Sequence, residues 1–289
     1  MNLIPPKKIC LSGGGIRAVS FVGALEVLQE KGLLKAVTEY IGVSAGAFLE
    51  FALCIGYTIA ELKLLCLEFD FTLIRDIDPE SALAFFDTYG FDSGDKMVRL
   101  LESLLRQKGH STEFTFEDLR ALGGPTLRCY ATDLTVCKPR EFSVAVSPKV
   151  RVVDALRASM GLTFFYTPVK DPDTGHLLTD GAVSQNYPMS LLSHEEKKHS
   201  LGMTFSNEHL QNVQIEDIGQ YIHQIFACVY IRRSEPPPNT IVLPNGNYPS
   251  WKFEASREDR LFLMKSAADA VRLWCNDKHG PCIGRRYSV

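Results

Sequence analysis

What this chain lacks narrows its function first. In 289 residues, 31 lysines and arginines face 34 aspartates and glutamates, giving a formal net charge of −3. There is no cationic excess to neutralise a phosphate backbone, which argues against a general nucleic-acid binder. No apolar run approaches the roughly 20 residues that cross a bilayer as a helix. The segment Met1 to Cys10 carries two prolines and two lysines but no apolar stretch of the kind found in a secretory leader. The expected location is intracellular, either cytoplasmic or peripheral at a membrane. The eight cysteines lack the tight spacing of a disulfide framework, and Cys10, Cys54, Cys66 and Cys228 stand in apolar runs, as reduced core thiols do. Cys275, His279 and Cys282 form the one local cluster. No fourth ligand accompanies them in that polar tail, so no metal site is expected. Repeats and low-complexity segments are absent.

What is present is an ordinary globular core, 45% hydrophobic, with strand and helix patterns in alternation. Short β-rich runs fall at 7–11, 39–43, 127–134, 141–146, 176–179 and 201–205. Helical spacing marks 21–31 and 45–55. Thr58 with Glu61 opens a capping box for a helix through Glu68, Ser93 is placed to cap one through Lys108, Thr115 and Asp118 repeat the signature, and 153–159 is helical. Such alternation predicts an α/β layer fold with a mainly parallel sheet sandwiched by helices. Residues 1–192 form the expected catalytic core. Residues 193–289 form a C-terminal helical extension packed on the same domain. Ile215, Ile218, Ile222, Ile225 and Val229 mark one of its helices and Leu261, Met264, Ala268, Val271 and Cys275 another, with a proline-rich loop over 235–250.

The chemistry centres on Gly42-Val43-Ser44-Ala45-Gly46, a G-x-S-x-G pattern after an apolar run and before a helix. That context suits a sharp strand-to-helix turn presenting one serine hydroxyl for attack on an acyl carbon. A serine is a poor nucleophile until a base removes its proton, and that base is either a histidine or a carboxylate acting directly. The oxygen that becomes negative also needs donors. Gly13, Gly14 and Gly15, at a second strand-to-helix junction, offer backbone N–H groups that approach closely, with the positive end of a helix behind them. Arg17 adds a cation in the same turn. Asp180, at the end of the short strand 176–179 and before Gly181-Ala182, reads locally as an Asp-Gly turn or as a carboxylate facing a cleft.

These blocks, Leu11-Ser12-Gly13-Gly14-Gly15-Ile16-Arg17, Gly42-Val43-Ser44-Ala45-Gly46 and Asp180-Gly181-Ala182, resemble in order those of the patatin-like phospholipase family. Phe91-Asp92-Ser93-Gly94-Asp95-Lys96, Ala131-Thr132-Asp133-Leu134, and Ala158-Ser159 followed by Tyr166-Thr167-Pro168-Val169 extend the likeness over about two-thirds of the chain. It departs from the pattern at Thr163, where a proline is common, and at Ala18, where glycine often follows the basic residue. The resemblance implies a Ser–Asp dyad, with Ser44 the nucleophile and Asp180 the base. It also implies an oxyanion hole from the amides of Gly13, Gly14 and Gly15 and no metal or other cofactor, while Arg17, from its place in the turn alone, reads as electrostatic support or as a surface or packing arginine. The implied reaction is hydrolysis of a phospholipid or other acyl-lipid ester through an acyl-serine, on substrate presented at a membrane or micelle surface.

Three rivals stand beside it. Gly13-Gly14-Gly15-Ile16-Arg17-Ala18 also satisfies a dinucleotide fingerprint, with Glu39 as ribose ligand, but Glu39 begins its strand where such an acid should end one. An α/β-hydrolase triad would take its histidine from His194, His199, His209, His223 or His279. A catalytically silent lipid-binding protein of the same fold is the third.

Overall fold

The computed structural model describes residues 4–76, 79–206, 214–215, 220–221, 224–225, 228, 236–244, 248–250 and 253–276. Its main sheet has eight strands: β1 (Lys8–Leu11), β2 (Glu39–Val43), β4 (Thr126–Asp133), β5 (Lys138–Ser143), β7 (Val169–Lys170), β8 (Leu177–Asp180), β9 (Ser200–Phe205) and β10 (Thr240–Leu243). β3 (Gly90–Asp92) and β6 (Phe164–Tyr166) make a separate two-stranded ribbon. The helices are α1 (Val19–Glu30), α2 (Ala45–Cys54), α3 (Ile59–Glu68), α4 (Pro79–Thr88), α5 (Asp95–Gln107), α6 (Phe116–Ala121), α7 (Val152–Ser159), α8 (Ala182–Gln185), α9 (His194–Lys198) and α10 (Arg257–Asn276).

The path across the sheet is β10-β9-β1-β2-β4-β8-β7, with β5 on the other edge of β4. From β10 to β4 every pairing is parallel, and β5, β8 and β7 pair antiparallel. Parallel strands covered on both faces must be apolar throughout, and Ile9, Cys10, Leu11, Ile41 and Val43 are accordingly sealed from solvent. β9 and β10 lie beyond Leu192, so that region contributes two strands to the sheet besides its helices.

α10 packs along α1, with Leu263, Met264, Ala267 and Val271 turned inward. The approach is close enough that a Cβ on Gly23 of α1 would run into the Met264 carbonyl. Arg260, buried at the start of α10, donates to the carbonyls of Cys66 and Phe69 at the end of α3, which fixes the two helices to each other. Of the expected stripe, Met264, Ala268 and Val271 are core, Cys275 is half-buried and Leu261 is exposed, because the inward face is centred on Leu263 and Ala267 instead.

Capping boxes close at Thr58–Glu61 and Thr115–Asp118, as their spacing predicts. Elsewhere the chain corrects the sequence reading. Ser93 is not the cap of α5. Gly94 takes that position at φ 80°, while the Ser93 hydroxyl, one residue before the cap, accepts from the N–H of Asp95, the first residue of the helix. The strand expected at 141–146 is Lys138–Ser143, because register with β4 extends it toward Lys138 and a turn comes after Ser143. Within the expected loop 235–250 lies β10, whose Thr-Ile-Val-Leu run buries Ile241 and Leu243 and exposes Val242. Alternation over four residues was masked by flanking prolines. Most of the helix expected over 215–229 lies outside the described residues.

Among the described residues no helix is long and apolar enough to cross a membrane, and no cluster of three or more His, Cys, Asp or Glu side chains is placed to hold a metal. His279 and Cys282 lie outside the described residues.

Candidate active site

β4 is the ruler that brings the site together. Its one edge pairs with β5 from Arg128 to Asp133. Its other edge is shared: β2 runs parallel along it up to Val43 opposite Tyr130, and β8 runs antiparallel down to Asp180 opposite Ala131. The two strands thus meet end to end on consecutive residues of β4. Ser44 is the first residue beyond β2, and Asp180 is the last residue of β8. Two residues 136 apart in sequence become neighbours because two strands share one edge of a third. Gly181 completes the fit, since a Cβ there would strike the Tyr130 carbonyl.

Ser44 sits in the turn from β2 to α2 with φ 52° and ψ −127°. A left-handed φ on a non-glycine residue costs about 1–3 kcal/mol and is held only by its surroundings. Here those surroundings are the flanking glycines. A Cβ on Gly42 would overlap Ala47 and the Glu50 carboxyl, and one on Gly46 would lie 2.5 Å from Ser12 O and 2.8 Å from Leu11 O. Without side chains at both positions, α2 drops directly onto β1 and β2. The Ser44 amide donates to Ser159 Oγ at 2.9 Å, and that hydroxyl donates in turn to Tyr130 O at 2.7 Å. Ser159, the last residue of α7, therefore ties the elbow to the ruler strand. The Ser44 side chain stands at the N-terminus of α2, where the helix dipole favours developing negative charge.

Ser44 Oγ donates to Asp180 Oδ2 at 2.8 Å, and Asp180 Oδ1 accepts from Ala182 N–H at 2.8 Å. The Asp180 backbone is pinned as well, its amide donating to Gly161 O at 3.0 Å and its carbonyl accepting from Thr132 Oγ1 at 2.7 Å. The carboxyl is buried. Desolvation pushes its pKa up to about 6, against the lowering effect of the bonds from Ala182 and Ser44. Thr163, the departure from the family pattern, bonds Thr179 through the two hydroxyls at 2.9 Å and so braces the end of β8 from the loop after α7.

The glycine loop lies against the same serine. A Cβ on Gly13 would sit 3.3 Å from Ser44 Cβ and would overlap Asn186 Oδ1. The three glycines are not equivalent. Gly13 N–H donates to Asn186 O at 3.1 Å and is already committed. Among the described residues the amides of Gly14 and Gly15 take no hydrogen-bond partner, while Ile16 N–H is taken by Ser250 O. Gly15 has φ 54°, a conformation glycine adopts freely. Arg17 is buried, with its guanidinium 5.1 Å over the Phe205 ring and its Nε donating to Gly14 O at 3.4 Å. Burial lowers its pKa to about 10. It holds the loop by its carbonyl side.

Among the described residues no histidine bonds Asp180: its carboxylate partners are Ser44 and Ala182. His194 and His199 flank or belong to the short surface helix α9, and His176 pairs with Asp133 at 2.7 Å. His209, His223 and His279 lie outside the described residues. Glu39, the ribose candidate, is engaged instead by Lys8 and Arg128 in a partly buried ion-pair cluster.

Sequence reasoning missed Ser159 as a partner of the elbow, Asn186 as the acceptor for Gly13, and Glu50. A signal existed for Ser159, a hydroxyl among the apolar residues of α7. Glu50 gave one too, an acid inside the apolar helix Ala45–Cys54. Its side chain is completely buried and its carboxyl is held well above the usual carboxylate range by desolvation. Asn186 carried none, because its backbone carbonyl makes the contact.

The chain is similar to known proteins. The family model described as patatin-like phospholipase matches residues 9–193. A protein named probable lipid hydrolase 463L from Invertebrate iridescent virus 6 is 28% identical over 194 residues, covering 67% of this chain and 66% of the relative. YqhO of Bacillus subtilis, uncharacterised, is 33% identical over 211 residues, covering 68% of this chain and 69% of that protein. The chain thus spans about two-thirds of the length of these relatives. Among solved structures, VipD from Legionella pneumophila superposes with TM-score 0.63 at 19% identity, over 93% of this chain and 66% of VipD. Human GIVD cytosolic phospholipase A2 gives 0.51 at 14%, over 93% and 58%. At these identities the two structures speak to the fold.

Proposed function

The chain belongs to the patatin-like phospholipase family, and from that premise we propose that it is a serine hydrolase cleaving ester bonds of phospholipids or other acyl lipids. Asp180 accepts the proton of Ser44 as Oγ adds to the acyl carbonyl carbon. The oxygen that becomes negative is met by the amides of Gly14 and Gly15, the two in the loop that are not already spent, with Gly13 shaping the turn and Arg17 holding it. As the tetrahedral species collapses, the protonated Asp180 returns its proton to the leaving alcohol, leaving the acyl group on Ser44. Water then attacks that ester with Asp180 again as base, releasing the fatty acid. The substrate is a lipid presented at a membrane or micelle surface.

The observation that supports this reading most is the 2.8 Å bond from Ser44 Oγ to a buried carboxylate whose pKa lies near 6. A base poised there is ionised at neutral pH and still able to hold a proton between the two half-reactions. The test is covalent labelling with a fluorophosphonate probe and mass mapping of the modified residue. Modification at Ser44, lost in Ser44→Ala, is expected. Modification of a different serine, or turnover retained in Ser44→Ala, would remove the assignment.

A further inference from the structure

The ribbon of β3 and β6, with α4 leading into it, carries apolar side chains that the fold leaves in water. Leu83 is 84% exposed, Phe86 85%, Tyr89 59% and Phe164 44%. This is a local cluster. Phe85 stacks on Phe91 with ring centroids 4.4 Å apart, which seats α4 on the ribbon, and Phe86 stands edge-on to Phe85 at 5.7 Å, turned outward. Gly90, immediately after Tyr89, pairs with Phe164 across the ribbon. Soluble proteins scatter single exposed apolar residues freely, but contiguous groups mark contact surfaces.

The backbone strengthens the case. Tyr89 and Phe164 both adopt a left-handed conformation, at φ 61° and φ 68°. Glycine would fit either position without strain. Instead each carries an exposed aromatic, at a cost of about 1–3 kcal/mol per residue. Nothing in the core is gained in return.

The cluster adjoins the site. Thr163, immediately before Phe164, bonds Thr179, and Gly161 holds the Asp180 amide. The aromatic rim is therefore fastened to the strand that delivers Asp180. The cations nearby are already matched: Arg75 pairs with Glu254 and Lys96 with Asp76, while Asp87 in the same helix is exposed. The rim has no net positive charge to offer to an anionic surface.

We infer that Leu83, Phe86, Tyr89 and Phe164 form a docking rim that inserts into the acyl–headgroup boundary of a bilayer, so that a lipid passes from the membrane to Ser44 without crossing water. The inference rests on the acyl-lipid reading above for its choice of partner. Attachment is by apolar insertion, so it needs no anionic lipid and resists salt.

The test uses the full chain and vesicles of pure phosphatidylcholine. Co-sedimentation of the parent is expected at low and at high salt alike. The variant Leu83→Ser/Phe86→Ser/Tyr89→Ser/Phe164→Ser is expected to bind these vesicles about tenfold or more weakly. Its hydrolysis of vesicle-borne lipid should fall in proportion. Its turnover of a short-chain ester below its micellar concentration, and its melting temperature, should match the parent. Ser44→Ala should pellet like the parent whatever its activity, so a failure of the rim and a failure of the chemistry are read separately. The inference is overturned if the fourfold variant pellets as the parent does. It is equally overturned if the parent ignores phosphatidylcholine and binds only anionic vesicles at low salt. A parent that is dimeric by light scattering and made monomeric by the same four substitutions would overturn it too, assigning the rim to a second copy of the chain.

Discussion

The elbow that carries Ser44 and the ribbon that carries Phe164 lie close in the fold and are built on opposite rules. Around the elbow the backbone is closely packed: Gly42, Gly46 and Gly181 leave no room even for a methyl group, and Ser159 and Thr132 tie down the backbones of Ser44 and Asp180. Around the ribbon large apolar groups face solvent. Both regions hold non-glycine residues at positive φ. At Ser44 the close packing of its neighbouring backbone offsets the cost of that conformation, whereas at Tyr89 and Phe164 packing contributes little. Similar strain therefore has two meanings, positional accuracy in one place and presentation of a side chain in the other.

The contrast breaks most sharply at the hydroxyl and carboxylate themselves. Ser44→Ala and Asp180→Asn should each lower kcat/KM on a short-chain ester by about 10³-fold or more, the scale on which nucleophile and base losses register in well-studied serine hydrolases. Steady-state kinetics checks this. Near-parental rates in either variant would refute the pairing.

Next comes packing at the elbow. Gly46→Val should destabilise the fold by about 3 kcal/mol or more, because the new side chain must displace the backbone of β1. Urea unfolding of the variant measures the loss.

A third expectation concerns pH. The folded pKa of Asp180, about 6, lies above the ordinary carboxylate value of 3.8, so the native state binds the proton more tightly than the unfolded chain. Below pH 4 the group carries no penalty, and between pH 4 and 6 its ionisation costs stability. The full shift corresponds to about 3 kcal/mol. Glu50, also raised by burial, acts in the same direction. Activity runs oppositely, rising with pH through about 6 as the base ionises. Asp180→Asn should therefore be inactive yet more stable than the parent at pH 8, by about 1–3 kcal/mol. Equal melting curves for the two proteins at that pH would contradict the shift.

Smaller effects sharpen the comparison. Ser159→Ala removes the bond to the Ser44 amide and should lower kcat about tenfold with KM little changed, since it loosens the nucleophile without touching substrate. A purely structural role would move melting temperature and leave the kcat of the folded fraction intact. Smallest of all, Tyr89→Gly relieves a left-handed tyrosine and should raise stability by at most about 1 kcal/mol in thermal unfolding.

Much of the elbow region was legible in the sequence because its constraints are local. Glycines two residues either side of Ser44, the apolar run before it and the capping box at Thr58 each state their structure within a few positions. Asp180 was ambiguous locally, since Asp-Gly makes a good turn. What resolves its place is register on β4, a pairing set by residues 130 and 131 that no window around 180 contains. The inequality of Gly13, Gly14 and Gly15 was hidden for a like reason: a backbone carbonyl from Asn186 makes the difference, and backbone atoms leave no mark in a sequence. β10 was concealed by its proline-rich setting. The ribbon went unread because three-residue strands fall below any periodicity, and their partners lie more than seventy residues apart.

The meeting of β2 and β8 on one strand also sets a clock. Ser44 is synthesised long before Asp180, and a chain that has assembled only β1, β2 and their helices holds the serine hydroxyl without that carboxylate. A contact this distant in sequence carries a loop-closure entropy cost that must be met before the pairing contributes anything. On the reading proposed above, the hydroxyl is without its base until β8 seats on β4, so topology alone separates the making of this chain from its chemistry.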